Sequence, residues 1–475
     1  MAQSLKHKTF AASLWRFFEV GGRQLISLLV TTLLARLILP AQYGLVAMIT
    51  VFISISEVFI DSGFSTALIR DNNRTTKDCS TVFYFNMGVS IFFCGALQIC
   101  APWIADFYGM PELTAITRVV ALTLIISGFG SVQRALLEAN LNFKRITTIN
   151  LVALCISGAV GIAMAYLGFQ VWALVTQMLL ARLIAAAVIW IKSDWRPAYC
   201  FSVNSFRRYF SFGSSLLGSA LLNAVYSNSY SLVIGKVFSS ANLAFYNRAG
   251  SFSNTASAVP TSIVESVTFP ALCKLQDDTD RLRDGYRRLI RLAAFVVFPL
   301  CLGLGAVAHP FITVLLTSRW EFAAVLMQIM VFSYMWYPIH SLNLNLLKVC
   351  GRSGLFFRLE IWKKVVGISI LCVTVPLGLK AMCYGSILSS LIALIINTRY
   401  TGKLIGMGIM SQLRDIFPTL LLSLVMFAIT TFCARIAGNG AGSLFLSVAV
   451  GIAVFAGGAI LFRFPEVREL KNLRK

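Results

Sequence analysis

Stretches of about twenty mainly apolar residues recur some fourteen times along this chain, and nothing between them is long enough to fold alone. A helix needs about that many apolar residues to cross ~30 Å of hydrocarbon. The windows fall at residues 14–39, 43–68, 82–104, 114–137, 147–169 and 171–191, then at 211–238, 243–269, 289–316, 323–347, 362–379 and 382–401. A last pair follows at 416–436 and 443–464. This spacing predicts an all-α polytopic membrane protein with about fourteen transmembrane helices, in two six-helix lobes plus a terminal pair. The expected boundaries are an N-lobe over 1–191, a linker loop over 192–210, a C-lobe over 211–403, and helices 13 and 14 with a basic tail over 404–475. Hydrophobic residues make up 57% of the chain and charged residues 13%, a balance outside the range of soluble domains. With no block of domain size to carry an active site, the expectation is a protein that is not an enzyme.

The 41 Lys and Arg against 19 Asp and Glu give a net charge of +22, which in a soluble protein would suggest nucleic acid. Here the cations sit in alternate short loops, the pattern of a topogenic signal, and no nucleic-acid partner is expected. One side holds Lys6 and Lys8, then Arg70, Arg74 and Lys77, then Lys144 and Arg145, then Lys192 to Arg208. It also holds Lys274 to Arg288, Arg352 and Arg358, Lys403 and Arg414, and the tail. The positive-inside rule makes that side, and both termini, cytoplasmic. Arg16, Glu19 and Arg23 interrupt the first apolar window, so it reads as a retained span and not as a cleaved signal.

The halves show a weak repeat at an offset of about 200 residues. Ala35-Arg36-Leu37-Ile38 with Ala41-Gln42 aligns with Gly235-Lys236-Val237-Phe238 with Ala241-Asn242. Parallel repeats of this kind point to a site between two lobes.

Ionisable groups inside hydrocarbon are costly and mark functional candidates. Arg16, Glu19 and Arg23 share one helix face; they read either as a cationic stripe lining a cavity or as a self-neutralised cluster near the interface. Glu57 and Asp61, one turn apart, read either as a site for a coupling proton or cation or, for Asp61, as a helix terminator ahead of Gly63. Arg134, Arg182, Arg291 and Arg399 are further cations in or beside spans, and the guanidinium suits bidentate phosphate contact. Arg182 stands out because it lies well inside an apolar run; the others also fit snorkelling helix ends. His309 and His340 are isolated, the 11 cysteines are scattered, and no nucleotide-binding loop, metal motif or hydrolase motif occurs, so no cofactor is expected.

The chain resembles the Wzx-type polysaccharide flippases of the MATE-like multidrug/oligosaccharidyl-lipid/polysaccharide exporter (MOP) superfamily. The resemblance runs through Leu34-Ala35-Arg36-Leu37-Ile38, through Asp61-Ser62-Gly63-Phe64 ahead of Ala67-Leu68-Ile69, and through Arg134-Ala135-Leu136 with Asn142-Phe143-Lys144. It continues in Phe269-Pro270-Ala271, Gln276-Asp277-Asp278-Thr279 and Leu282-Arg283. It implies a MATE-like fold enclosing a cavity, and an undecaprenyl-diphosphate-linked oligosaccharide as substrate, moved from the cytoplasmic to the periplasmic leaflet by alternating access. Polymerase and glycosyltransferase are then candidate partners. Arg16, Arg23, Arg134 and Arg182 are expected to contact the diphosphate, with Arg291 and Arg399 as further binding candidates and Glu19, Glu57 and Asp61 as ion-coupling candidates. Two alternatives are a cation-exporting multidrug antiporter and a membrane glycan polymerase or ligase. The weight of Arg over acid within the spans disfavours the first. The lack of any long outer loop disfavours the second.

Overall fold

The structure is a computed structural model and describes residues 26–472 apart from 62, 274 and 277. Arg16, Glu19 and Arg23 lie outside the described residues. The described residues are helical almost throughout and contain no strand. The chain divides into two compact units, residues 1–244 and 245–475.

The first unit contains α1 (Ile26–Leu37), α2 (Pro40–Asp61), α3 (Phe64–Arg70), α4 (Thr76–Tyr108), α5 (Glu112–Ala139), α6 (Phe143–Tyr166), α7 (Val171–Lys192) and α8 (Val203–Val237). The next helix, α9 (Ser240–Cys273), carries the chain into the second unit. There follow α10 (Thr279–Ala306), α11 (Ala308–Leu316), α12 (Glu321–Tyr334), α13 (Tyr337–Val349), α14 (Ser353–Thr374), α15 (Leu379–Ile405), α16 (Ile409–Ala437), α17 (Ala441–Leu461) and α18 (Pro465–Asn472).

Ten of the helical segments are long and apolar enough to cross a membrane, and the chain is a multi-pass membrane protein. The described residues of the fourteen apolar windows are mainly helical, but four windows do not pass that test. The first runs into the described residues only as α1. The other three are α8, α9 and α14: serines and asparagines dilute α8 and α9, while Arg358, Glu360, Lys363 and Lys364 charge α14. Outward-facing Ile91, Phe92, Ile99 and Trp103 on α4 are all more than half exposed, as expected where lipid and not water is the surrounding phase.

Several windows read as single helices are broken, each for a local reason. Gly63 sits between α2 and α3 with φ 73°, a left-handed conformation that strains any residue with a Cβ. A Cβ there would also stand 2.9 Å from the Cα of Gly213 on α8, so the backbone approach itself requires glycine. Pro310 near the start of α11 and Pro338 near the start of α13 lack the N–H a continuing helix would need, and the chain restarts at both places. At the ends, α4 opens with a capping box between Thr75 and Asp78 and closes on Gly109 at φ 70°.

The 200-residue repeat is visible in the backbone. Helix α1 ends at Leu37 and α2 begins at Pro40; α8 ends at Val237 and α9 begins at Ser240. The two joints have the same form, a bend at Ile38 or Phe238 and one further residue before the next helix. Packing at the joint is close enough that a Cβ on Gly44 would lie 1.8 Å from the carbonyl oxygen of Ser240.

Within the first unit the basic loops gather at one end. Arg208 at the start of α8 bridges Asp71 after α3 (3.1 Å) and Asp78 at the start of α4 (3.0 Å). Tyr209 donates to Asp71 at 2.7 Å, and Arg74 donates to Asn140 after α5 at 3.3 Å. The segment before α8 is tied down as well, since the Ala198 and Ser202 amides donate to Ser80 Oγ and Thr81 Oγ1 at 3.0 Å each. In the second unit Arg283 donates to the Ile405 carbonyl at 2.7 Å and Arg288 pairs with Glu469 of α18 at 2.9 Å, which again collects basic segments at one end.

Candidate functional site

Three helices of the first unit bring polar groups together, Arg182 and Ser127 near the middles of α7 and α5 and Glu57 one turn before the end of α2. Arg182 lies about 16 Å from either end of α7 at 1.5 Å per residue. Its Nη2 stands 2.9 Å from Oε1 of Glu57 on α2, and its Nη1 donates to Ser127 Oγ on α5 at 3.3 Å. A lone arginine at such depth costs at least ~2.5 kcal/mol on insertion scales, and the facing carboxylate offsets part of that. The pair is not sealed: the Arg182 side chain is 47% exposed and that of Glu57 32%. A single contact to one carboxylate oxygen uses little of a guanidinium with five N–H donors.

The other candidates separate from this pair. Arg134 forms an i,i+4 pair with Glu138 of its own helix at 3.0 Å, with the arginine 57% exposed. Asp61 ends α2 and is exposed, one turn beyond Glu57. Arg399 is exposed in the last two turns of α15. Arg291 is drawn into a clamp with Arg287 around Asp415 of α16. Arg287 places Nε 2.8 and 2.7 Å from the two Asp415 oxygens and Nη2 2.6 Å from one of them, and Arg291 Nη2 adds a contact at 3.4 Å. The Asp415 side chain is only 4% exposed. Its charge is balanced where it stands, and Arg291 is held by that balance.

Two features escaped the sequence reading. Ser127 gave no signal, because a serine in an apolar helix is common and only the fold sets it opposite Arg182. The second is a polar seam in the second unit: His340 meets Ser390 Oγ at 3.0 Å and Asn397 Nδ2 at 3.4 Å. Asn343 exchanges amide bonds with Gln412 at 3.1 and 3.0 Å and accepts from Thr401 at 2.6 Å, all three residues being buried. His340 is thus not isolated but part of a chain joining α13, α15 and α16. Among the described residues no group of three or more His, Cys, Asp or Glu could hold a metal ion.

Comparison with known proteins places this geometry in context. A family model described as polysaccharide biosynthesis protein matches residues 33–325. The lipopolysaccharide biosynthesis protein WzxC of Escherichia coli (strain K12) is 24% identical over 401 residues, covering 83% of this chain and 80% of the relative. Among solved structures, the lipid II flippase MurJ in its inward closed conformation superposes with a TM-score of 0.76 at 13% identity, over 94% of this chain and 98% of that one. An inward-facing multidrug resistance MATE family transporter of the MOP superfamily gives a TM-score of 0.64 at 16% identity, over 81% of this chain and 94% of that one. The chain shares the fold of these two proteins.

Proposed function

The chain belongs to the polysaccharide biosynthesis protein family, and from that premise we propose that it is a flippase. Its cargo is an oligosaccharide linked to undecaprenyl diphosphate, carried from the cytoplasmic to the periplasmic leaflet of the bacterial cytoplasmic membrane. The observation that carries the reading is the half-exposed Arg182 at the midpoint of α7, paired with Glu57 of α2. A diphosphate cannot enter hydrocarbon without replacement of its hydration, and arginine supplies charge-assisted hydrogen bonds in its place. The phosphate oxygens displace the Glu57 carboxylate from Arg182, the glycan follows the head group, and the lipid tail stays in the apolar phase. The basic loop ends face the cytoplasm, both termini with them, and the protein cycles by alternating access. Arg16 and Arg23 join Arg182 in meeting the diphosphate. Glu57, released from Arg182, is the residue that a coupling proton or cation reaches, with Glu19 and Asp61 as further carriers.

Direction needs no nucleotide. Moving about two negative charges outward is favoured by roughly 4 to 5 kcal/mol at an inside-negative potential of ~100 mV. Likeness to the MATE fold favours a second reading, export of cationic drugs. An acidic cavity would serve that cargo, whereas Arg182, near the middle of α7, is a cation with one counter-ion. Proteoliposomes holding a fluorescent lipid-linked oligosaccharide on the inner leaflet test the proposal. Protein-dependent bleaching by an impermeant reductant is expected; no bleaching, together with efflux of a cationic dye, would transfer the protein to the drug exporters.

A further inference from the structure

We infer that the first unit holds a seat for the isoprenoid tail of the carrier lipid, in an aromatic cavity walled by α2, α3, α4 and α8. The inference rests on the flippase reading above and adds to it a site for the part of the substrate that carries no charge.

The cavity has a volume of about 490 Å³, inside the ~300–1,000 Å³ usual for small-ligand sites. Phe59, Phe64, Phe85, Phe93 and Phe210 form much of its wall. The rings brace one another: Phe59 and Phe93 stack at 4.8 Å between centroids, and Phe64 meets Phe85 at 4.5 Å. Gly88 of α4 lines the same space, and a Cβ there would meet no atom within 4 Å. A glycine in mid-helix is unfavourable for the helix, and here it leaves open a volume that any larger side chain would occupy.

Apolar lining alone does not select a ligand in a bilayer, because the surrounding tails are as apolar as the cavity. Shape and charge do. Methyl branches and double bonds along an isoprenoid pack against ring faces and edges in ways a straight acyl chain does not. Charge complementarity supplies the second criterion. Arg207 lies one turn before Phe210 on α8, so the two share a side of the helix, and Arg70 ends the short helix that begins with Phe64. Both arginines are exposed, and the Arg70 guanidinium sits 4.9 Å over the Phe212 ring. Neighbouring Arg208, by contrast, is taken up by Asp71 and Asp78. A lipid with its tail among the phenylalanines therefore finds cations for an anionic phosphate at the basic end of the same helices.

The test uses the full-length protein in nanodiscs of neutral lipid, with undecaprenyl phosphate as the probe and phosphatidylglycerol as the competing anionic acyl lipid. Wild type is expected to prefer undecaprenyl phosphate by at least about tenfold. Gly88→Phe, which fills the cavity, is expected to lower that affinity about tenfold, and Ser214→Phe fills it from α8 should the first variant not fold. Gly95→Phe on the same helix, also in open space but outside the cavity, should bind as wild type. Replacing Arg70 and Arg207 together by Gln should weaken binding of the phosphate while leaving undecaprenol bound. Unchanged affinity in folded Gly88→Phe and Ser214→Phe, or equal competition by phosphatidylglycerol, overturns the seat. If wild type flips a lipid-linked glycan while either result holds, the seat alone falls; if wild type neither flips it nor binds undecaprenyl phosphate, the flippase reading falls too.

Discussion

Two charge clusters, one in each unit, use the same chemistry to opposite ends. Around Asp415 two arginines converge on a carboxylate that is 4% exposed, and Arg287 alone makes three contacts of 2.6 to 2.8 Å with it. Around Arg182 a single carboxylate contact at 2.9 Å and a weak serine bond at 3.3 Å hold a side chain that is 47% exposed. The first cluster is closed: a ligand phosphate would have to compete with a bidentate partner already in place. The second is loosely held and reachable. The difference shows that an arginine in a membrane helix is read by its partner and its access and not by its depth alone, and it separates Arg182 from Arg291 by partner where sequence separated them only by depth.

The largest expected effect is on transport. Arg182→Ala should lower the rate of lipid-linked oligosaccharide flipping in proteoliposomes by about 10- to 100-fold, the loss of ~1.5–3 kcal/mol from charged hydrogen bonds, with no fall in melting temperature. A loss of stability in place of flux would make Arg182 a second clamp.

Asp415→Ala should do the reverse. Removing the carboxylate leaves Arg287 and Arg291 uncompensated and should cost roughly 1–3 kcal/mol of stability, less than a fully buried pair because both arginines reach solvent. Thermal unfolding in detergent reads that loss, while the flux per folded molecule should stay within about twofold of wild type.

Glu57→Gln sharpens the contrast further. It should slow flipping several-fold and remove its response to an imposed pH gradient, measured in the same vesicles; wild-type rate and pH response would discard the coupling role. Smallest of all, Arg134→Ala breaks an exposed i,i+4 pair worth ~0.3–0.5 kcal/mol, and should change neither the melting temperature nor the flux by a readable amount.

What sequence could reveal follows the same division between local and distant. The apolar windows and the repeated joints at Leu37 and Val237 are local patterns; ten of the windows are spans by length and composition among the described residues, and the joints recur in the backbone. Gly63 made a break after α2 one of the readings, because a left-handed residue is a local property. Arg291 could not be matched to its partner in the same way. Its partner is 124 residues away, and Glu57 and Arg182 are likewise joined only by the packing of α2, α5 and α7. The polar seam through His340, Asn343, Thr401 and Gln412 stayed hidden for the same reason, as each member alone is an unremarkable polar residue in an apolar helix.

The most direct measurement is flipping of an undecaprenyl-diphosphate-linked oligosaccharide in proteoliposomes under an imposed inside-negative potential, with wild type, Arg182→Ala and Asp415→Ala side by side. Potential-dependent flipping in wild type and Asp415→Ala, lost in Arg182→Ala, is the result expected if the open arginine carries the cargo. Flipping retained in Arg182→Ala and lost in folded Asp415→Ala would contradict the account, placing the anion site in the unit here read as structural.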